Sequence, residues 1–291
     1  FELSDNNFIS GPQKTISSVF KARVPSLSDL YVSIEQNESE FFDNLNENLD
    51  ELEKLNQKID ELNLEALKTT DLDWDQKKEI ENTLSQLNEE FQSMEKMEEM
   101  LSSIIEDSEK HDLFSPSLLK KFKELAELID NVLPEELMNS MTELNEALEK
   151  LDLETIQENL SKLQENIAKV EEDLDRFIDI FKRLQAEQKL DELLTRSEQL
   201  AEQQNMLDKE INQKNPEDYS NLAKLQQEEQ RNIDEWDSIV KLIEKTQDAV
   251  KPFNEKTSVE LENFIQEPII DETRDLFNET MQNLEKQNLS E

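Results

Sequence analysis

From Leu153 to Leu184 the chain places an apolar residue at alternating steps of three and four, at Leu153, Ile156, Leu160, Leu163, Ile167, Val170, Leu174, Phe177, Phe181 and Leu184. Apolar residues make up 35% of the chain. At that frequency ten hits in one chosen frame would arise by chance roughly a few times in a hundred thousand. Helical geometry puts all ten on one narrow stripe, and a stripe this long is buried only lengthwise, against partner helices. These ten residues form the candidate coiled-coil seam. A seam specifies packing and carries no chemistry.

A chain that is 35% charged, with so little apolar content, has the composition of a disordered protein. The sustained register argues against that, because disorder does not preserve phase over many turns. One glycine and seven prolines leave almost no turn chemistry for a sheet protein. The expected fold is all-α: elongated antiparallel helical hairpins or coiled coil, with a short N-terminal strand-like segment. Thirty-one Lys and Arg against 71 Asp and Glu give a net charge of −40. That charge repels nucleic-acid backbones and disfavours an anionic membrane surface. Its plainest role is to keep a long protein soluble, and it leaves basic proteins and divalent cations as partners. There is no cysteine, hence no disulfide and no thiolate site. No apolar run reaches the roughly 18 residues of a membrane span. The sequence opens on Phe1 rather than Met, so it is read as a fragment, and the lack of a leader says nothing.

Taken in order, residues 1–25 stand apart. They hold Gly11-Pro12, a polar turn at Ser4-Asp5-Asn6-Asn7, and Phe20, Ala22 and Val24 alternating with Val19, Lys21 and Arg23. That period of two is a half-buried strand, read as the last strand of a β module whose remainder lies upstream. Within this fragment residues 10–24 are expected to be an orphaned strand, since nothing downstream reads as a partner. Residues 26–112 form a helical hairpin. Ser26 or Ser28 caps its first helix, a polar break falls at Lys68-Thr69-Thr70-Asp71, and Asp73 with Gln76 forms a capping box for the second. Residues 113–215 follow a linker at His111-Asp112-Leu113-Phe114. Ser115-Pro116 opens a short helix there, another restarts after Pro134, and Asp152 caps a helix running on through Leu190, Leu194, Leu200, Leu207 and Ile211. Residues 216–291 carry the last helices, with breaks at Lys251-Pro252 and Pro268. Acid-to-base pairs four apart, Glu146–Lys150, Glu165–Lys169, Asp179–Arg183 and Asp237–Lys241, add about 0.2–0.5 kcal/mol of helix support each.

Catalysis has little to build on. The one histidine, His111, lies in the linker, so no nucleophile–histidine arrangement and no Glu-x-x-His pair is available. Calcium loops and phosphate-cradling loops need glycines, and none follows Gly11. The acids around Glu95, Glu98 and Glu99 read as a solvated face, and Met94, Met97 and Met100 as packing filler. No catalytic, cofactor-binding or metal-binding residue is assigned, and the chain is read as a non-enzyme needing no cofactor.

Two stretches carry a resemblance. One runs from Ile9-Ser10-Gly11-Pro12-Gln13-Lys14 to Arg23-Val24-Pro25-Ser26-Leu27. The other runs from Leu148-Glu149-Lys150-Leu151-Asp152 to Phe181-Lys182-Arg183-Leu184-Gln185-Ala186-Glu187-Gln188-Lys189-Leu190-Asp191-Glu192-Leu193. Together they resemble an uncharacterised bacterial family of large membrane-anchored proteins, known only as a domain of unknown function. In that family a membrane region and an immunoglobulin-like β module precede a long coiled-coil region. The resemblance implies a helical region outside the cytoplasmic membrane, attached to the membrane only through segments absent from this sequence. It brings no catalytic residues. The expected function is a structural or interaction protein, an extended helical spacer or scaffold of the bacterial cell envelope, with other protein helices as partners, in the same chain or in a homo-oligomer. Two alternatives stand beside it: a regulatory acidic module that binds a basic protein or divalent cations, and an intracellular, cytoplasmic coiled-coil tether.

Overall fold

The computed structural model describes residues 2–4, 13–16, 18, 25–133, 135–213 and 219–286. The fold is all-α. Its helices are α1 (Leu27–Ala66), α2 (Trp74–Lys110), α3 (Pro116–Asp130), α4 (Glu135–Lys150), α5 (Leu153–Gln213), α6 (Tyr219–Val250), α7 (Glu255–Ile265) and α8 (Pro268–Glu285). Local chemistry sets most of their ends. Ser26 and Asp29 exchange hydrogen bonds at the start of α1, and Asp73 and Gln76 do so at the start of α2. Ser115 caps α3, whose first residue is Pro116, and Asp152 accepts from the amide and hydroxyl of Thr155 at the start of α5.

With glycine unavailable, α2 and α4 end on residues that are normally a poor choice. Asp112 and Leu151 take left-handed backbone, at φ 51 and 53. For a non-glycine residue this costs roughly 1–2 kcal/mol. What it secures is a closed helix end: Leu113 N–H donates to Ser108 O (2.9 Å) and Asp152 N–H to Ala147 O (3.1 Å), the six-to-one bond of a Schellman cap. Leu113 and Phe114 are buried behind the first of these caps. The stretch read as a linker is therefore half core: of its four residues only His111 and Asp112 face solvent.

Four helical directions make the first bundle. α1 and α2 form an antiparallel hairpin, pinned by Asn48 Nδ2 donating to Glu90 O (3.0 Å). α3 and α4 lie end to end and run back antiparallel to α5. Ser115 N–H meets Asp191 (2.7 Å) at one end of that run, and Asn166 meets Ser140 (3.3 Å) towards the other. The N-terminal half of α5 closes the bundle against α1, with Asn63–Ser161 at 3.0 Å and Gln164–Asp60 at 2.9 Å. This is an up-down-up-down four-helix arrangement, and its apolar residues form one continuous core from Tyr31 to Leu184. Residues 26–112 and the first part of 113–215 thus share that core. Ile156, Leu160, Leu163, Ile167, Val170, Leu174, Phe177, Phe181 and Leu184 are all buried in it, while Leu153, on the first turn of α5, is half-buried. At the centre, the Phe181 ring lies 4.9 Å from Phe41 and 6.4 Å from both Phe122 and Phe177, centroid to centroid.

The C-terminal half of α5 then enters a second bundle centred on α6, against which α7 and α8 also pack. Here the core is thinner: Leu200, Ile233, Ile239 and Phe277 form one cluster, and Leu207, Leu222, Leu225 and Leu284 another. As one helix, α5 is about 90 Å long. To serve both bundles its buried stripe must change direction. Leu184, Gln188, Glu192, Arg196 and Leu200 are buried in steps of four, each advancing about 40°, so the stripe turns about 160° around the helix axis. Leu194, expected on the continued seam, is consequently 58% exposed.

Among the described residues, β1 (Glu2–Ser4) pairs antiparallel with β2 (Lys14–Ile16), Leu3 opposite Thr15. The expectation of an orphaned strand at 10–24 is corrected on this point. Lys14–Ile16 finds its backbone partner in the first residues of the same chain, in part of what read as a polar turn. Phe20, Ala22 and Val24, which carried the alternation, lie outside the described residues.

On the outer faces, Glu146–Lys150 and Glu165–Lys169 form the expected ion pairs, at 3.3 and 3.1 Å. Asp237 instead meets Arg274 of α8 (2.9 Å), and Arg183 lies over the Phe253 ring. Glu165→Ala is expected to change stability by less than about 0.5 kcal/mol in urea unfolding, the usual worth of an exposed pair.

Candidate functional site

The residues that distinguish this molecule from a plain bundle sit where the two bundles meet. Three groups of ionisable side chains converge there from α1, α5 and α6, and Arg196 and Glu38 among them are buried.

The first is centred on Arg196. Its Nη1 donates to Glu192 Oε1 (2.8 Å), its Nε to Glu235 Oε1 (2.7 Å) and its Nη2 to Ser238 Oγ (2.7 Å). Burial acts to discharge the guanidinium, but the bonds from Glu235 and Glu192 outweigh it and raise its pKa above the ordinary value. Burial likewise pushes the Glu192 carboxyl up, against the opposing pull of Arg196. The second is Glu35 on α1, which receives Lys189 of α5 at 2.9 Å and Lys245 of α6 at 3.1 Å. Desolvation acts to raise it, yet the two lysines prevail and hold it below the usual carboxylate range. The third is Glu38, one turn on. It is 3% exposed, its Oε1 has no hydrogen-bond partner, and burial pushes its carboxyl up to about 8 against the charge of Lys189. Nearby, the Tyr31 hydroxyl donates to Leu113 O (2.6 Å), and burial raises it to about 12.

A related group lies deeper in the second bundle. Glu229 is fully buried, neither carboxylate oxygen has a partner, and burial lifts it to about 7. Gln204 and Asn232 stand beside it, but Asn232 Nδ2 donates to Gln204 Oε1 (2.7 Å) instead.

A helical phase argument explains why these residues were not singled out from sequence. Glu38 stands between Ile34 and Phe41 in the three-and-four stepping of α1. Glu229, Asn232 and Thr246 stand in the same stepping of α6, among Leu222, Leu225, Trp236, Ile239, Ile243 and Val250. They looked like gaps in an apolar stripe. The signal was the gap itself, since a polar residue in phase on both sides stands on the inward stripe of its helix. Glu192 and Arg196 gave no such signal, because the steps of four that bury them follow from the change of bundle.

Chemically, the junction locks helices together. Among the described residues no three His, Asp or Glu side chains gather to hold a metal ion. The seam residues from Ile156 to Leu184 belong to the four-helix core, so they support the junction from one side without entering it. No described helix is long and apolar enough to cross a membrane. Arg196→Ala is expected to cost about 3–5 kcal/mol in chemical unfolding, because Glu192 and Glu235 lose their shared cation. Glu192→Leu combined with Arg196→Met is expected to recover most of that loss. Comparison of the chain with protein-family models, curated proteins and solved structures finds no match.

Proposed function

We propose that this chain is a non-enzymatic spacer or scaffold of the bacterial cell envelope, holding two helical bundles at a fixed separation and angle. The observation that carries the reading is α5, one uninterrupted helix from Leu153 to Gln213 that belongs to both bundles. Two domains joined by a loop reorient freely. Here a hinge would have to break α5 within the stretch that carries the Arg196 and Glu35 groups. A strongly acidic outer surface suits a protein that must stay extended and soluble. The envelope setting, on the outer side of the cytoplasmic membrane, rests on the family resemblance of residues 9–27 and 148–193. Its partners are other protein helices, with basic surfaces favoured by charge.

The absence of cysteine makes a distance measurement direct. Spin labels placed on new cysteines at Lys162 and Glu202, both exposed on α5, should report a single narrow distance near 60 Å, forty residues of continuous helix. A broad or bimodal distribution would remove the spacer reading. Titrating calcium and magnesium while following thermal stability separates the regulatory alternative: a spacer responds weakly and without saturation. External protease should cleave the protein in spheroplasts but leave a cytoplasmic marker intact. Protection of both would remove the envelope setting.

A further inference from the structure

Beside the junction, α1, α5 and the end of α6 enclose an open cleft of about 680 Å³, with Glu38, Phe42, Lys182, Ala249, Pro252 and Phe253 on its walls. That is the size of an ordinary small-molecule site. Phe42, Ala249, Pro252 and Phe253 form its apolar wall, polar and charged side chains line the rest, and among these Glu38 stands out. Glu38 occupies a seam position where α1 otherwise has Tyr31, Ile34 and Phe41, and its carboxyl is buried with Oε1 unpartnered. In a well-packed bundle an apolar residue at that position would be at least as stable. Gln188 and Gln185 stand beside the same carboxyl, yet Oε1 has no partner, which leaves an acceptor at the wall of the cavity open to a donor from a ligand.

Charge decides which donor. The titratable groups around the cleft are Glu35 from α1, Asp179, Lys182 and Lys189 from α5, and Lys245 and Asp248 from α6. Glu35 already holds Lys189 and Lys245. The two aromatic rings at the mouth already attract cations: Lys182 Nζ lies 5.2 Å from the Phe42 centroid, and the Arg183 guanidinium 5.4 Å from that of Phe253. An anion entering here would meet Asp179, Asp248 and the field of a chain of net charge −40. Locally Lys182, Arg183, Lys189 and Lys245 stand against Glu35, Asp179 and Asp248, so the pull on a cation comes from the charge of the whole chain and from the Glu38 carboxyl that it would ionise.

We propose that this cleft binds a primary organic ammonium, with the ammonium on the Glu38 carboxyl and an apolar or aromatic body against Phe42, Ala249, Pro252 and Phe253. The inference does not depend on the spacer reading, since a rigid spacer needs no ligand. Burial favours the neutral form of the Glu38 carboxyl in the free protein at neutral pH. On binding it ionises, its proton passes to the buffer, and the complex holds an ammonium–carboxylate pair.

Calorimetry on the whole chain, with butylammonium, benzylammonium and phenethylammonium as probes, tests this. Saturable binding is expected, tighter for the two aromatic probes. At pH 6.5, titrations in buffers of different ionisation enthalpy should reveal close to one proton released per site. 2-Phenylethanol and phenylacetate, which match the probe in shape without its charge, should bind at least about tenfold more weakly, the equivalent of about 1.4 kcal/mol. Glu38→Gln removes a buried ionisable group and should fold at least as well as the parent. It should weaken phenethylammonium by tenfold or more and abolish the proton release. Phe253→Ala, at a partly exposed rim position, should weaken only the aromatic probes. The proposal is overturned if no probe saturates by about 10 mM, if Glu38→Gln leaves affinity unchanged, or if binding releases no proton.

Discussion

Phe181→Ala is expected to cost about 3–5 kcal/mol, the usual range for removing a fully enclosed aromatic ring. Phe181 is 0% exposed and touches three helical directions at once: Phe41 and Phe42 of α1, Phe122 of α3, and Phe177 of its own helix. The site cannot collapse around the loss, because each neighbouring ring belongs to a helix held elsewhere by its own core contacts, so the cavity term adds to the lost burial. Urea unfolding followed by circular dichroism is the measurement. A midpoint shift no larger than that of Glu165→Ala would mean that the aromatic cluster is not the centre of the fold.

The second large effect is a dependence on pH that runs opposite to ordinary acid denaturation. Burial raises Glu38 to about 8 and Glu229 to about 7 from an ordinary 4.5. An acid whose folded pKa is raised is protonated in the folded chain after it has already ionised in the unfolded one. Its stability is fully present below the unfolded pKa, falls as pH rises through the window from 4.5 to about 7 or 8, and then levels off. Each tenfold gain in proton affinity on folding is worth roughly 1.4 kcal/mol, so the two groups together account for several kcal/mol. Glu35, whose pKa is lowered by its lysines, acts in the other direction: its contribution is present above the ordinary carboxylate pKa and is lost as pH falls through its own. The chain should therefore be most stable in mildly acidic solution and lose stability between pH 5 and about pH 8. Glu38→Gln combined with Glu229→Gln should flatten that slope. A parent protein more stable at about pH 9 than at pH 5 would contradict the assignment.

Where the controlling physics is local, sequence was enough. The Asp73–Gln76 capping box, the Ser115-Pro116 start and the break at Pro268 depend on atoms within a turn of one another, and each stands in the fold where residue chemistry puts it. The stripe from Ile156 to Leu184 was equally plain, because one helix in one environment keeps one phase. What escaped depends on neighbours distant in sequence. Leu113 and Phe114 are core only because Tyr31 and Phe122 reach them, across 82 residues in the case of the Tyr31 hydrogen bond. The pairing of Lys14–Ile16 with Glu2–Ser4 involves three residues on each side, too few to establish a period. The junction was hidden for a further reason: Arg196 and Glu192 look like any surface pair four residues apart, and nothing along α5 announces that another helix covers them.

The turning stripe on α5 makes the relative orientation of the two bundles a matter of residue count. α5 behaves as a shaft keyed at both ends, with one key cut by Phe177 and Phe181 and the other by Leu200 and Leu207. Inserting one residue between them would swing whatever docks on the second bundle by about 100° and move it by only 1.5 Å. Eighteen residues, five whole turns, would move it by about 27 Å with no swing at all. Length and bearing can thus be changed separately in this protein. A homologue that must reach farther while facing the same way has essentially one arithmetic open to it, the addition of whole turns.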